Sequence, residues 1–220
     1  MTCSGYHTDG LKVTSFDGKH RQVSMADELK RRLVHASGSG LVALYLLAQY
    51  LEFGLTWEYF RYLMVVLSVV VVALEFVRLR VGLEWWLYDK LTREYEQDQF
   101  AGYGYYMLSM TAVVLVFQPA IALPAMLMLA IGDPISGAVS DDSLKRVKGP
   151  KVLVTMFVVS AALAAPFLLE YPLAVLAAAL GSTIADGVKV QVGEFIVDDN
   201  LTIPIYAAVA AWIVLEFAPV

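Results

Sequence analysis

VFQPAIALPAMLMLAIGDP, Val116 to Pro134, decides how this chain is read. An apolar run ends at Phe117, and another starts at Pro119 with only Gln118 between them. Proline disfavours helix continuation through the residue before it, so the junction is a tight turn between two apolar helices. The second run ends in Gly132-Asp133-Pro134, an ionisable group at the foot of an apolar segment. GluTyrPro, Glu170 to Pro172, makes a second junction of this kind, and its following run ends in Asp186.

Working outward, the composition fits these segments. Of 220 residues, 59% are hydrophobic and 17% charged, against roughly a quarter charged in soluble domains. A spanning helix needs about 20 mainly apolar residues. Seven candidates follow: 38–55, 59–78, 103–118, 119–133, 152–169, 172–187 and 200–218. The expected fold is an all-α polytopic membrane protein of about seven transmembrane helices, with one or two cytoplasmic interfacial helices. Residues 1–23 form a polar N-terminal segment and 24–220 one transmembrane catalytic domain. The first 35 residues lack an apolar h-region, so no cleaved signal peptide is expected. A single cysteine, Cys3, rules out an intramolecular disulfide. The net charge of −5 argues against nucleic acid as a partner.

Of the 16 Lys and Arg residues, only Arg61 falls outside if the N-terminus is cytoplasmic; the other 15 fall inside. That asymmetry predicts a cytoplasmic N-terminus. Ser24 to Asp27 reads as a helix start, followed by an apolar stripe at Met25, Leu29 and Leu33. Ser37-Gly38-Ser39-Gly40 is expected to break that helix before the first span. Leu83 to Phe100, with Trp85 and Trp86, reads as a second surface helix. Glu75, inside the second span, is expected to pair with Arg78 or Arg80.

Depth singles out the acids. Pro119 to Gly132 and Leu173 to Asp186 are each 14 residues, about 21 Å of helix, against a hydrocarbon core of about 30 Å. Asp133 and Asp186 therefore lie at similar depth, where ionisable groups default to function. The glycines and proline around Asp133 are expected to end or unwind its helix. Asp198, Asp199 and Asn200 precede the last span. One of them suits an N-cap; the remaining oxygens suit Mg²⁺, which takes one or two carboxylates plus substrate phosphates. Lys145, Arg146, Lys148 and Lys151 suit either a topogenic loop or a phosphate clamp. His35 closes the basic run Lys30 to His35. Carboxylates, lysines and a lipid wall together point to phosphoryl transfer on a lipid.

These motifs resemble the polyprenol kinase family, which includes dolichol kinase, phytol kinase and the CTP-dependent diacylglycerol kinase. Arg31-Arg32-Leu33-Val34-His35 is similar to its R-K-x-x-H element. Gly132-Asp133-Pro134-Ile135-Ser136 is similar to G-D-x-x-(A/S). Lys145 to Pro150 matches K-S-x-E-G-S in part, with Lys148 in place of an acid and Pro150 in place of Ser. Asp186 falls on an acidic position, and Asp198 to Pro204 matches D-D-N-L-T-(I/V)-P. The resemblance covers residues 31 to 204. It implies transfer of the γ-phosphate of CTP to a long-chain isoprenoid alcohol with a divalent cation. It further implies Asp133, Asp198, Asp199 and Asn200 at the metal, and Lys145, Lys148, Arg31, Arg32, Ser136 and Gly149 at the nucleotide. Asp186, His35 and Asp133 become the catalytic candidates, with Asp186 or His35 taking the alcohol's proton. The rival readings are a CTP:lipid-phosphate cytidylyltransferase and a non-enzymatic membrane transporter or scaffold.

Overall fold

The computed structural model describes residues 32–81, 99–140, 147–188, 191–192 and 195–218. Arg31, Lys145, the start of the helix expected from Ser24 and nearly all of the segment from Leu83 lie outside them. The described chain is helical: α1 (Ser39–Tyr50), α2 (Trp57–Val81), α3 (Gly102–Val116), α4 (Pro119–Leu127), a π-helical stretch (Met128–Gly132), α5 (Asp133–Ala138), α6 (Pro150–Leu168), α7 (Pro172–Gly187) and α8 (Asp199–Phe217). A two-residue antiparallel ladder, Gln191–Val192 with Phe195–Ile196, lies between α7 and α8.

Among the described residues a helix lies on each of the seven expected segments, but that of the first, Ser39–Tyr50, has only 12 residues, and four helices are long and apolar enough to cross a membrane: Trp57–Arg80, Pro119–Ala138, Pro150–Leu168 and Asp199–Phe217. Helices α3 and α7 are shorter, at 15 and 16 residues. Proline sits at the first turn of α4, α6 and α7, where its missing N–H would have had no helical partner. These tight reversals bring the C-terminal ends of α5 and α7 to the same side as the N-terminal ends of α6 and α8.

The helix from Pro119 to Ala138 is the centre of the bundle. In its apolar window 61% of the residues are buried, against 22–33% for the other three spans. Its neighbours turn side chains such as Val66, Val69, Val154 and Val158 outward, as lipid contact requires. Methionines Met110, Met126, Met128 and Met156 fill the interior among alanines, and a flexible unbranched side chain suits such irregular gaps.

Two expectations are corrected. First, the helix does not end at Gly132-Asp133-Pro134; it widens into a π turn and continues to Ala138. Pro134 cannot donate a hydrogen bond and crowds the carbonyl four residues back, and a wider turn accommodates both faults without a break. Second, the Ser37 to Gly40 break shrinks to a single turn residue, Gly38, with near-helical φ −62° and ψ −22°. Glycine is needed there for closeness rather than freedom, because a Cβ on Gly38 would collide with the Tyr106 hydroxyl.

Charge fixes the α2–α3 hairpin at both ends. Buried Glu75 accepts two bonds from Arg78, at 2.7 and 2.9 Å, and one from Ala101 N at 2.7 Å. The Tyr103 hydroxyl completes the set. The carboxylate thus meets the free amides at the start of α3, where the helix dipole is positive. At the other end, Arg61 Nε donates to Val114 O at 3.0 Å, near the negative end of the same dipole. Midway, Ser68 and Thr111 hydroxyls lie 2.6 Å apart. Arg78, rather than Arg80, is therefore the partner of Glu75.

Candidate active site

Three carboxylates from distant parts of the sequence converge. One oxygen each from Asp133, Asp186 and Asp199 lies within 4.8 Å of the others. Asp133 begins α5, Asp186 lies in the last turn of α7, and Asp199 begins α8. Their helices meet closely. Gly181 of α7 leaves no room for a side chain against the Tyr206 carbonyl of α8. Ser182 donates to Ser160 of α6 at 2.8 Å, a polar contact that holds two apolar helices together.

Lys148 enters this group from the loop before α6. Its Nζ lies 2.6 Å from Asp186 Oδ1 and 3.7 Å from Asp199 Oδ2. The loop is held by Lys148 N donating to Gly187 O at 2.9 Å and by a bridge between Val147 and Val188. A carboxylate at a helix C-terminus faces the negative end of the dipole, and the ammonium offsets that for Asp186. Burial works against the charge on Lys148, but Asp186 and then Asp199 outweigh it, so its pKa lies above its ordinary value.

Asp186 is 2% exposed and has both oxygens engaged. Ser136 Oγ lies 3.1 Å from Asp186 Oδ2 and 3.1 Å from the Asp133 carbonyl. Ser136 is fully buried. It supports a carboxylate here, which composition and spacing did not suggest.

The adjacent acids of the last motif divide their work. Asp198 caps α8, its Oδ1 accepting from Asn200 N at 2.9 Å. Asp199, at the positive end of the α8 dipole, joins the cluster. Asn200 O accepts from Ser109 at 2.6 Å, while the buried Asn200 Oδ1 has no hydrogen-bond partner among the described residues. Arg32, in the helical stretch 32–37 that precedes α1, donates to Gly137 O of α5 at 3.1 Å. Gly149 caps α6 with extended backbone, and a Cβ there would meet nothing within 4 Å. His35 Nε2 lies 3.1 Å from Leu129 O and 3.6 Å from Asp133 Oδ2.

The donor set is all hard oxygen, which suits Mg²⁺ or Ca²⁺ over softer metals. Oxygens on opposite sides of a Mg²⁺ ion lie about 4.2 Å apart, so a small contraction of the cluster fits one ion. The buried Asn200 Oδ1, next in sequence to Asp199, is a further oxygen of the same kind. Among the described residues, Lys148 is the ammonium that lies against two of these three carboxylates. Comparison with known proteins adds no relative: no family model, no curated protein and no solved structure matches this chain.

Proposed function

We propose that this chain is a membrane-embedded phosphotransferase that moves the γ-phosphoryl group of CTP onto the hydroxyl of a long-chain isoprenoid alcohol. One observation supports this above the others. Asp133, Asp186 and Asp199 meet at the ends of three apolar helix segments, with Lys148 among them. Phosphoryl transfer asks a protein mainly for positioning and for neutralisation of charge. The cluster offers carboxylates for a cation, an ammonium for phosphate oxygens and a lipid-facing wall for the acceptor.

Asp133, Asp186 and Asp199, with Asn200 beside them, would hold a Mg²⁺ ion, whose charge would offset that of the CTP phosphates. Lys148 shares its charge between Asp186 and Asp199, and can turn one N–H toward a phosphate oxygen. Ser136 keeps Asp186 aimed at the cluster. In the reaction the bond from the γ-phosphorus to its bridging oxygen breaks, and the alcohol oxygen bonds to phosphorus. The alcohol's proton passes to a cluster carboxylate, and CDP leaves. The acceptor's tail enters sideways between helices. A cytoplasmic N-terminus and site, where CTP is found, is supported by the 15 of 16 basic residues that fall on one side when the seven segments are read as spans.

The test is incubation of purified protein with γ-labelled CTP, Mg²⁺ and a panel of prenols. Label in a lipid monophosphate, with CDP as the other product, supports the reading. Pyrophosphate release makes the protein a cytidylyltransferase instead. Ion flux in vesicles without nucleotide turnover makes it a transporter.

A further inference from the structure

His35 stands beside the cluster in a way that sets its chemistry. In the π turn, Asp133 N donates to Met128 O. The same register assigns the Leu129 carbonyl to the amide of residue 134, which is a proline and has no N–H. His35 Nε2 lies 3.1 Å from that carbonyl. A carbonyl oxygen only accepts, so Nε2 carries the proton in this contact. The ring is fixed in place. Tyr106 packs edge-on at 4.6 Å, and its hydroxyl donates to the His35 carbonyl at 3.0 Å.

The geometry points to His35 as a positioning residue: it supplies the N–H that Pro134 lacks, completes the π turn, and thereby directs the Asp133 carboxylate toward Asp186 and Asp199. This role deepens the phosphotransferase reading and rests on it only for the use of the cluster. With its proton committed to Leu129, Nε2 is a donor and is not free to accept a proton from an alcohol. The nearby Asp133 Oδ2, at 3.6 Å, stands beside the same edge of the ring.

The experiment uses the full chain in detergent, with Mn²⁺ alone as the first probe and CTP turnover as the second. Gln places an amide N–H near the position of Nε2 but cannot act as a base. His35→Gln is therefore expected to keep Mn²⁺ affinity and turnover close to wild type. His35→Ala is expected to weaken Mn²⁺ binding by about tenfold to a hundredfold, as loss of a group that orients a metal ligand does. A third variant keeps the test alive if His35→Ala folds poorly. Pro134→Ala restores an N–H to residue 134, so His35→Ala costs much less Mn²⁺ affinity in that background. Unchanged Mn²⁺ binding in His35→Ala would overturn the role. So would a dead His35→Gln with normal Mn²⁺ binding, which would make His35 the base. The same His35→Ala loss in both backgrounds would also overturn it. Wild-type Mn²⁺ binding that depends on His35, with no turnover of CTP, would uphold positioning and discard the phosphotransferase reading. No Mn²⁺ binding by wild type would discard both.

Discussion

Lys148 Nζ lies 2.6 Å from Asp186 Oδ1 and 3.7 Å from Asp199 Oδ2, so a lysine of the connecting loop serves as counter-ion to two acids from different helices. Removing one partner of a buried pair strands the other, at about 3–5 kcal/mol, whereas removing both together is far milder. Lys148→Met should therefore lower the thermal stability of the detergent-solubilised protein strongly. Lys148→Met with Asp186→Asn should recover much of it. Additive losses would mean that the pair is not coupled.

The same pair has a defined pH behaviour. The pKa of Lys148 lies above its ordinary 10.5. A group raised in the folded state stabilises fully below its unfolded pKa and loses that contribution as pH climbs through the folded value. The part of the stability gap between wild type and Lys148→Met that the Lys148 charge supplies should thus persist through neutral pH and be lost only as pH climbs above 10.5, the ordinary lysine value. A gap that closes near neutrality would show that another group titrates there.

Asp198 and Asp199 should separate by substitution. Asn caps a helix about as well as Asp, and loss of a cap costs about 1 kcal/mol. Asp198→Asn should leave stability and turnover nearly unchanged, while Asp198→Ala loses stability. Asp199→Asn should fold normally and lose turnover at limiting Mg²⁺ by on the order of a hundredfold, about 2.7 kcal/mol of transition-state stabilisation. Parallel melting and kinetic measurements decide between the two roles.

Glu75 should matter for stability alone. Glu75→Gln leaves the Arg78 guanidinium without its carboxylate and sets an amide N–H donor among donors that both carboxylate oxygens had accepted from. The expected loss is about 3–5 kcal/mol, with partial rescue by Arg78→Met. In whatever fraction folds, KM for CTP should be unchanged. A selective rise in KM would give this knot a part in nucleotide binding.

Orientation can be read in intact cells. In a Cys3→Ser background, Tyr171→Cys should react with an impermeant thiol reagent, and Ser140→Cys should not. The reverse pattern would put the cluster on the face away from CTP.

Much of the fold was legible because membrane insertion is a local demand. Apolar runs near spanning length and prolines at turns act within a few residues, and helices occupy all seven expected segments. The shared depth of two acids was legible in the same way. Asp133 and Asp186 each lie fourteen residues beyond a proline that starts a helix. What followed Asp133 was not legible. Gly-Asp-Pro reads as a helix end, yet the chain stays helical through a π turn, where Gly132 leaves room for Met156 of α6.

Sequence alone therefore determined the helical segments, the alternation of their direction and the set of polar groups at one end of them, because each follows from the length and hydropathy of contiguous residues. Tertiary structure decided the partners. Lys148 pairs with Asp186 across 38 positions, and Ser136 reaches the same carboxylate across 50. Asp198 turns back to cap its helix while Asp199 faces the cluster, and His35 finds a carbonyl 94 residues away. Those choices depend on how helices cross and on which buried charges can be neutralised together, and no local pattern carries that information.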